Sequence, residues 1–243
     1  RTGGQDELVF DGSSLIVGLE DNNLKILNSF QTDSISLNYD ELKFISTANE
    51  ENLNPNKLDD IYDALVLGTR DYVEKNGFKG VIIGSSGGID SALTTVIAHD
   101  ALGKEKVKTV MMPFDYTSDI SLEDAKSLAT NLGISHSEIS IKEMFEAFNK
   151  GLSTSFNGLK EDKTEENLQS RCRGVTLMAL SNKLGYLVLT TGNKSEAAVG
   201  YSTLYGDTAG GFSVLKDVSK TLVYELAKYR NKRSVVIPQR IID

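Results

Sequence analysis

The chain has 243 residues, 40% of them hydrophobic, so it can bury a full core and is not a wholly disordered protein. Its formal net charge of −8 argues against a protein whose main task is to grip nucleic acid, because phosphate neutralisation needs clustered Lys and Arg. The single cysteine, Cys172, excludes an intrachain disulfide and a cysteine-built zinc site.

The chain shows no signal for export or membrane insertion. No apolar run approaches the roughly 20 residues of a membrane span, and no secretory signal is visible. We therefore expect a reduced, cytoplasmic setting, with neither a membrane nor nucleic acid as a partner. The sequence opens at Arg1 without an initiator Met, which we interpret as a piece of a longer protein.

The first 45 residues predict antiparallel strands. Residues 7–19 and 24–38 alternate as strands do, and Asp11-Gly12 and residues 21–23 are turn signals between them. A meander of about 40 residues makes a poor independent domain, so we predict that residues 1–45 belong to a larger one. The polar residues 46–57 predict a linker.

From Leu58 onward, helical and strand patterns alternate, which predicts a domain over residues 58–243. Strands are predicted at 80–84, 107–112, 137–141 and 186–190. Helices are predicted from Leu58, at 89–101, 121–132, 142–150 and 165–184, from about Lys194, and at 219–229. Short apolar strands between helices indicate an α/β fold, a parallel sheet with helices on both faces.

The most informative segment is the glycine-rich turn from Gly84 to Ser91, Gly-Ser-Ser-Gly-Gly-Ile-Asp-Ser. It lies between a predicted strand and a predicted helix, an arrangement that directs backbone N–H groups at a phosphate. Asp90 would repel a phosphate by itself, so a carboxylate there suggests a divalent cation between them. The turn lacks the Lys of a Walker loop and the spacing of a dinucleotide fingerprint. The plainer alternative is an ordinary turn with a capping Asp.

Two further polar segments follow. The loop after strand 186–190 carries a hydroxyl, an amine and a carboxylate at Thr191, Lys194 and Glu196, and its plainer alternative is a solvated loop. Asp90 and Glu196 on neighbouring strand ends are candidates to share a magnesium ion. In helix 165–184, for which Thr164 is the predicted N-cap, Asn167 and Arg171 share a face. That face suits a ribose or phosphate, or else is simply solvated.

The turn resembles the pyrophosphatase loop of the N-type ATP pyrophosphatase superfamily, whose members cleave ATP between its α- and β-phosphates. The whole series of motifs resembles NAD⁺ synthetase. It comprises residues 86–91, Met112-Pro113 with residues 116–118, residues 164–174, residues 191–196 and Tyr205-Gly206-Asp207. Residues 3–12 resemble the closing strands of the nitrilase-like glutaminase domain of the glutamine-dependent members, so residues 1–45 would be the remnant of that domain.

The resemblance implies a fold like that of the adenine nucleotide alpha hydrolases, and an enzyme, a carbon–nitrogen ligase. It would amidate deamido-NAD⁺ to NAD⁺ through an adenylated intermediate, with ATP as co-substrate and Mg²⁺ as cofactor. The nitrogen would be ammonia, supplied by glutamine in the intact enzyme. The family's pairing also implies at least a dimer.

The resemblance also implies roles for individual residues. Asp90, Glu196 and Lys220 would be catalytic, and Asp90 and Glu196 would hold the metal. Deamido-NAD⁺ would contact Asn167, Arg171, Glu196 and Tyr201. ATP would be bound by Gly84, Ser85, Ser86, Gly87, Gly88, Ile89, Asp90, Ser91, Thr191 and Lys220, with Lys216 as the rival of Lys220 at the phosphates.

Some positions depart from the family pattern. Phe114-Asp115 replaces the small and basic residues expected there, which predicts a different adenine-side loop, and Leu204 stands where ammonia-only members carry a lysine. The chain also stops at Asp243, before the family's closing lysine segment, and it lacks the nucleophilic cysteine of the glutaminase. Two alternatives stay open: another pyrophosphatase-loop amidotransferase or thiolase, and a catalytically silent module.

Overall fold

The computed structural model describes residues 1–17, 24–36, 57–115 and 117–243. They form two compact units, Arg1–Tyr72 and Val73–Asp243. The predicted turn at residues 21–23, residues 46–56 of the predicted linker and Tyr116 lie outside the described residues. The boundaries of the two predicted domains therefore stay predictions.

The first unit holds four short strands in two separate antiparallel pairs. Strand β1 (Thr2–Gln5) pairs with β2 (Leu8–Asp11), and β3 (Leu15–Val17) pairs with β4 (Leu24–Ile26). The predicted single meander is thus two hairpin ladders, joined in the described residues by an isolated bridge between Gly12 and Ser29. β1 was not predicted because Thr-Gly-Gly-Gln has no apolar residue to alternate.

Helix α1 (Lys57–Lys75) begins where the predicted linker ends. Asp59 and Asp60 lie in its first turn and Lys75 in its last, so its charges complement the helix dipole. Within the first unit, the backbone N–H of Gly4 donates to Oδ2 of Asp71 on this helix, at 2.7 Å. The bond fixes β1 to the helix.

The second unit is built on a parallel sheet of five strands. They are β5 (Val81–Ser85), β6 (Val107–Met111), β7 (Ser135–Glu138), β8 (Leu187–Thr190) and β9 (Phe212–Ser213). Their order is β7-β6-β5-β8-β9, and Val81 lies opposite both Val107 and Leu187. The predicted parallel sheet is confirmed. β7 begins two residues before its predicted start, and β9 was missed because two residues carry no period.

The helices of the second unit are α2 (Ile89–Leu102), α3 (Asp119–Leu132), α4 (Lys142–Leu152), α5 (Lys163–Leu184), α6 (Lys194–Val199), α7 (Lys220–Arg233) and α8 (Gln239–Ile242). A 3₁₀ turn spans residues 104–106. α2 packs on β5 and β6 and contacts α3, α7 and α8, while α5 packs on β5 and β8 with α4 beside it. Because the crossovers reverse direction after β7, these two sets of helices cover opposite faces of the sheet.

Two helices illustrate how the residues set these elements. Ten residues of α2 are buried, which fits its nearly continuous apolar sequence. The cap of α5 lies two residues earlier than predicted: Asp162, not Thr164, is the N-cap. Oδ1 of Asp162 accepts from the N–H of Thr164 at 2.7 Å, and Oε2 of Glu165 accepts from the N–H of Asp162 at 2.8 Å. This reciprocal capping box outcompetes a lone threonine hydroxyl.

His136 on β7 is a half-buried histidine whose ring is only partly satisfied by hydrogen bonds. Its Nδ1 lies 2.9 Å from Oγ1 of Thr109 on β6, and its Nε2 is buried with no hydrogen-bond partner in the described part of the chain. Burial lowers the pKa of His136 below its ordinary value of 6.5, and Lys126 lowers the pKa further against an opposing effect of Glu138. The unfolded chain therefore binds this proton more readily than the folded chain.

We predict that this histidine makes the fold sensitive to acid. A depressed folded-state pKa contributes stability that is fully present above about pH 6.5 and is lost as the pH falls through the folded value. Chemical denaturation between pH 5 and 8 should show the free energy of unfolding falling on the acid side, with a smaller slope for His136→Asn. His99→Asn, at the other histidine, is the control. An unchanged slope in His136→Asn would contradict the assignment.

Candidate active site

The candidate site lies where the carboxyl ends of β5 and β8 meet. The strand order turns in opposite directions from β5, to β6 on one side and to β8 on the other. Such a switch point leaves a crevice outside the strand ends, which is where open α/β sheets bind ligands. The glycine-rich turn follows β5 and the loop from Thr191 follows β8, so the fold brings together two of the three predicted segments.

The turn after β5 is closed by its own hydrogen bonds. Oγ of Ser86 accepts from the N–H of Gly88 at 3.2 Å and lies 3.1 Å from Oγ of Ser91, which donates to the carbonyl of Gly88 at 3.0 Å. Ser85 and Ser91 are buried, 6% and 3% exposed. The hydroxyls of Ser86 and Ser91, both predicted to bind ATP, thus also shape the turn. Gly88 is the N-cap of α2 and has no side-chain cap, which leaves the helix N-terminus directed at the crevice.

Gly87 is required by both its conformation and its surroundings. Its φ is +75°, and a Cβ added there would lie 2.5 Å from the carbonyl oxygen of Ser121 in the first turn of α3. A left-handed residue other than glycine costs about 1–2 kcal/mol, and the contact with backbone adds to that cost. The loop can follow this path only without a side chain.

We predict that Gly87→Ala lowers nucleotide affinity about tenfold or more, because the loop must move away from Ser121 and its N–H groups lose their common direction. Isothermal titration calorimetry with ATP measures the effect. The matched control is Gly77→Ala, which has φ +71° and nothing within 4 Å of the added Cβ. It should lower the melting temperature by strain alone and leave ATP affinity unchanged. Equal ATP affinities for the two variants would contradict the prediction.

A polar network connects the three predicted catalytic residues. Oδ2 of Asp90 forms an ion pair with Nζ of Lys220, and Oδ1 accepts from Nδ2 of Asn193 at 2.9 Å. Asn193 also joins Glu196: its Oδ1 accepts from the N–H of Glu196 at 3.0 Å, and its own N–H donates to Oε2 of Glu196 at 3.2 Å. The structure therefore brings Asp90, Glu196 and Lys220 together from three separate helix starts.

Asn193 is the residue that sequence reasoning missed. It is 1% exposed, it caps α6, and it bridges to a carboxylate 103 residues away in the chain. The signal was present, since Asn193 followed three residues later by Glu196 is a capping-box pattern. Its side-chain amide both caps the N-terminus of α6 and donates to Asp90, so the helix cap and the site depend on the same side chain.

Asp90 and Glu196 could hold a magnesium ion only together with oxygen atoms of a bound ligand. In the described residues no group of three or more His, Cys, Asp or Glu is placed to hold a metal. Asp90 and Glu196 supply carboxylate oxygens, some already bonded to Asn193 and Lys220. Magnesium in nucleotide sites is commonly held by one or two carboxylates together with substrate phosphates, so these two residues fit that mode.

Two cavities adjoin the network. The first, of about 450 Å³, lies between the ends of β5, β6 and β8 and helix α5, and its lining includes Ser86, Met112, Arg173 and Thr191. The second, of about 520 Å³, is lined by residues that include Asp90, Glu196, Tyr201 and Lys216. Ser86, Thr190, Thr191 and Asp207 line both cavities. The glycine-rich turn therefore lies between two cavities, each large enough for part of a ligand.

The rival lysines occupy different places. Lys220, the first residue of α7, pairs with Asp90, and its N–H donates to Oγ of Ser195 at 3.0 Å. Lys216 lines the second cavity. Tyr201 also lines this cavity, and its ring is 78% exposed.

Asn167 and Arg171 are not among the residues that line either cavity. Oδ1 of Asn167 accepts from Oγ1 of Thr203 at 2.9 Å, and Nε of Arg171 donates to the carbonyl of Leu204 at 3.3 Å. Thr203 itself lines the first cavity. The two predicted substrate contacts thus hold the 203–204 loop in this structure, and their role toward a ligand stays a prediction.

Cys172 is 2% exposed on α5, and burial raises the pKa of its thiol. A buried, protonated thiol is a poor nucleophile.

The NAD synthase family profile matches residues 61–243 of this chain. Over 248 residues the chain is 51% identical to a glutamine-dependent NAD(+) synthetase of Acinetobacter baylyi, covering 100% of the chain and 45% of that relative. The chain therefore spans about half the length of the curated relatives it matches.

Solved structures agree with this similarity. The chain resembles a glutamine-dependent NAD⁺ synthetase from Acinetobacter baumannii in complex with ADP, with a TM-score of 0.92 and 50% identity over 100% of this chain and 46% of that one. It also resembles an NH₃-dependent NAD synthetase from Campylobacter jejuni, with a TM-score of 0.69 and 32% identity over 76% of each chain.

Proposed function

Because the chain belongs to the NAD synthase family, we propose that it amidates deamido-NAD⁺ to NAD⁺ at the expense of ATP. The observation that carries the proposal is the network of Asp90, Asn193, Glu196 and Lys220 beside the Gly87-Gly88 turn. It places two carboxylates and an ammonium next to a helix N-terminus suited to phosphate. Family membership makes the other pyrophosphatase-loop enzymes the weaker alternative.

The reaction has two steps. An oxygen of the nicotinate carboxylate attacks the α-phosphorus of ATP, and the bond to the bridging oxygen of the β-phosphate breaks to release pyrophosphate. Ammonia then attacks the activated carbonyl carbon, the bond to AMP breaks, and a proton leaves the new amide. Catalysis of such steps rests mainly on positioning and charge stabilisation.

The turn and the network divide this work. The backbone N–H of Gly87 and the ammonium of Lys220 would face the charge that develops on the leaving pyrophosphate, while the N–H of Gly88 donates to Oγ of Ser86 and shapes the turn. Asp90 and Glu196 would hold magnesium, which when bound supplies positive charge to the phosphates. Asn193 orients both carboxylates, because its Nδ2 donates to Asp90 and its backbone N–H donates to Glu196.

We assign the second cavity to the nicotinate end of deamido-NAD⁺. Tyr201 offers an exposed ring for stacking, and Glu196 lies in the same lining. Asn167 and Arg171 would contact the substrate next to the 203–204 loop that they hold. The first cavity, with Met112 and Leu177 in its lining, suits the adenosine of ATP.

One assay tests the reaction: the purified chain with ATP, Mg²⁺, deamido-NAD⁺ and ammonium, with AMP and NAD⁺ measured together by chromatography. We expect equal amounts of the two products. If ATP binds but neither product forms, the chain is the silent module instead. Omitting ammonium should stop NAD⁺ formation, and omitting Mg²⁺ should stop both products.

Three further proposals concern the whole protein. Glutamine as the source of ammonia is supported by the names of the relatives at 51% and 45% identity. Self-association into at least a dimer is supported by the exposed apolar side chains of Val175, Val199 and Leu204, 64%, 78% and 68% exposed. Light scattering tests the assembly. A cytoplasmic location remains our proposal; helices of membrane-spanning length and hydropathy are absent from the described residues.

A further inference from the structure

Arg173 is a cation that lines the first cavity and to which the sequence analysis assigned no function. It lies on α5 and lines the cavity with Ser86 of the phosphate loop and Thr191 after β8. Its Nε donates to the main-chain carbonyl of Met112 at 3.1 Å. Within the described ranges this carbonyl is its hydrogen-bond partner, and no carboxylate pairs with it.

Two other arginines of the second unit are paired with carboxylates. Arg230, with a side chain 8% exposed, donates from Nε to Oδ2 of Asp100 at 2.6 Å, and Arg240 donates from Nη2 to Oδ1 of Asp124 at 2.7 Å. Arg173 is partly buried with only a carbonyl dipole beside it. Burial lowers the pKa of its guanidinium below the ordinary value. A partly desolvated cation without a counter-ion is costly, so its negative partner is expected to come with a ligand.

The chemistry of the Arg173 guanidinium indicates that it would bind a phosphate of the nucleotide. Arginine has only donors, arranged as a planar fork that matches the oxygens of a phosphate. A bond from Nε to Met112 leaves the two terminal nitrogens as donors toward the cavity. Ser86 and Thr191, which line the same cavity, belong to the loops that would surround the phosphates.

We infer that Arg173 binds the α-phosphate of the nucleotide. This inference rests on the proposed function for the identity of the ligand as ATP, and it adds a phosphate-binding residue to that site. The α-phosphate is the atom group attacked by the carboxylate, so a cation there would stabilise the charge that builds during adenylation. The same contact would remain in AMP, the product that keeps this phosphate.

Calorimetry with AMP and adenosine tests the inference, because the two ligands differ only in that phosphate. Arg173→Met should weaken AMP binding about 30-fold, the size of one charge-assisted hydrogen-bonded contact, and change adenosine binding less than about twofold. Arg173→Lys keeps the charge without the fork and should fall between Met and the unaltered chain. Lys183→Met, an exposed cation on the same helix, should leave AMP binding unchanged.

Two outcomes would overturn the inference: equal losses for AMP and adenosine, which would mean that Arg173 only shapes the cavity through Met112, and no loss for either. The result is separable from the proposed reaction. If the unaltered chain binds AMP but makes no NAD⁺, the proposed reaction is contradicted and the proposed contact between Arg173 and the α-phosphate is not. If Arg173→Met adenylates the substrate normally, the contact between Arg173 and the α-phosphate is contradicted and the proposed reaction is not.

Discussion

Asp90→Asn should lower kcat about 10³-fold while the fold and its melting temperature persist. The substitution keeps the shape and an oxygen that can accept from Asn193, but it removes the negative charge that pairs with Lys220. Single preorganised groups of this kind contribute about 10²–10³ to turnover, and the loss of a proposed metal ligand adds to that. Steady-state formation of AMP and NAD⁺ measures the effect, and circular dichroism checks the fold.

The matched control for this variant is Glu143→Gln, which removes one exposed carboxylate in the first turn of α4. Its kcat should equal that of the unaltered chain. Magnesium titration in the presence of ATP, followed by calorimetry, separates the two roles of Asp90. A variant that turns over normally, or that binds Mg·ATP as tightly as the unaltered chain, would remove Asp90 from the metal site.

Lys220→Met should lower kcat/KM about 100-fold, the largest effect expected at either rival lysine. The ammonium neutralises Asp90 and is placed to meet the pyrophosphate, so its removal costs a charge-assisted contact of about 1.5–3 kcal/mol. It also leaves Asp90 facing the phosphates with one cation fewer. Single-turnover release of pyrophosphate measures the step that this residue would serve.

Lys216→Met is the comparison, since Lys216 lines the second cavity and Lys220 holds Asp90. We expect its loss in kcat/KM to stay below about tenfold and to fall mainly on KM for deamido-NAD⁺. The reverse order of the two losses would assign the phosphates to Lys216. Lys220→Arg should recover only part of the activity because a planar guanidinium cannot occupy the same point.

The strands and helices around the site could be predicted from the sequence better than the contacts between its side chains. The strand, turn and helix around Gly84–Ser91 were predictable because a buried apolar run, two glycines and a long apolar helix each carry a strong local signal. The contact between Asp90 and Asn193 was not, because it depends on β8 lying directly beside β5. Local sequence patterns predict helices and strands. Which strands lie side by side in a parallel sheet depends instead on long crossover connections, which carry no local signal.

The remaining misses also have physical causes. β9 has two residues, too few for any alternation, and it forms where Gly211 donates to the carbonyl of Val188 at 2.9 Å. The predicted cap at Thr164 lost to Asp162 because a carboxylate with a reciprocal glutamate is the stronger cap. Arg173 was passed over because a basic residue on a polar helix has no distinguishing pattern until its surroundings are known.

The position of β5 in the sheet has a consequence for synthesis of the protein. β5 pairs with β6 after about 25 residues but with β8 only after more than 100. While the intervening chain leaves the ribosome, one edge of β5 therefore presents unpaired backbone groups along its apolar residues Val81-Ile82-Ile83. An unpaired apolar edge is open to mispairing, and chaperone capture during this interval would protect the strand that later carries the glycine-rich turn.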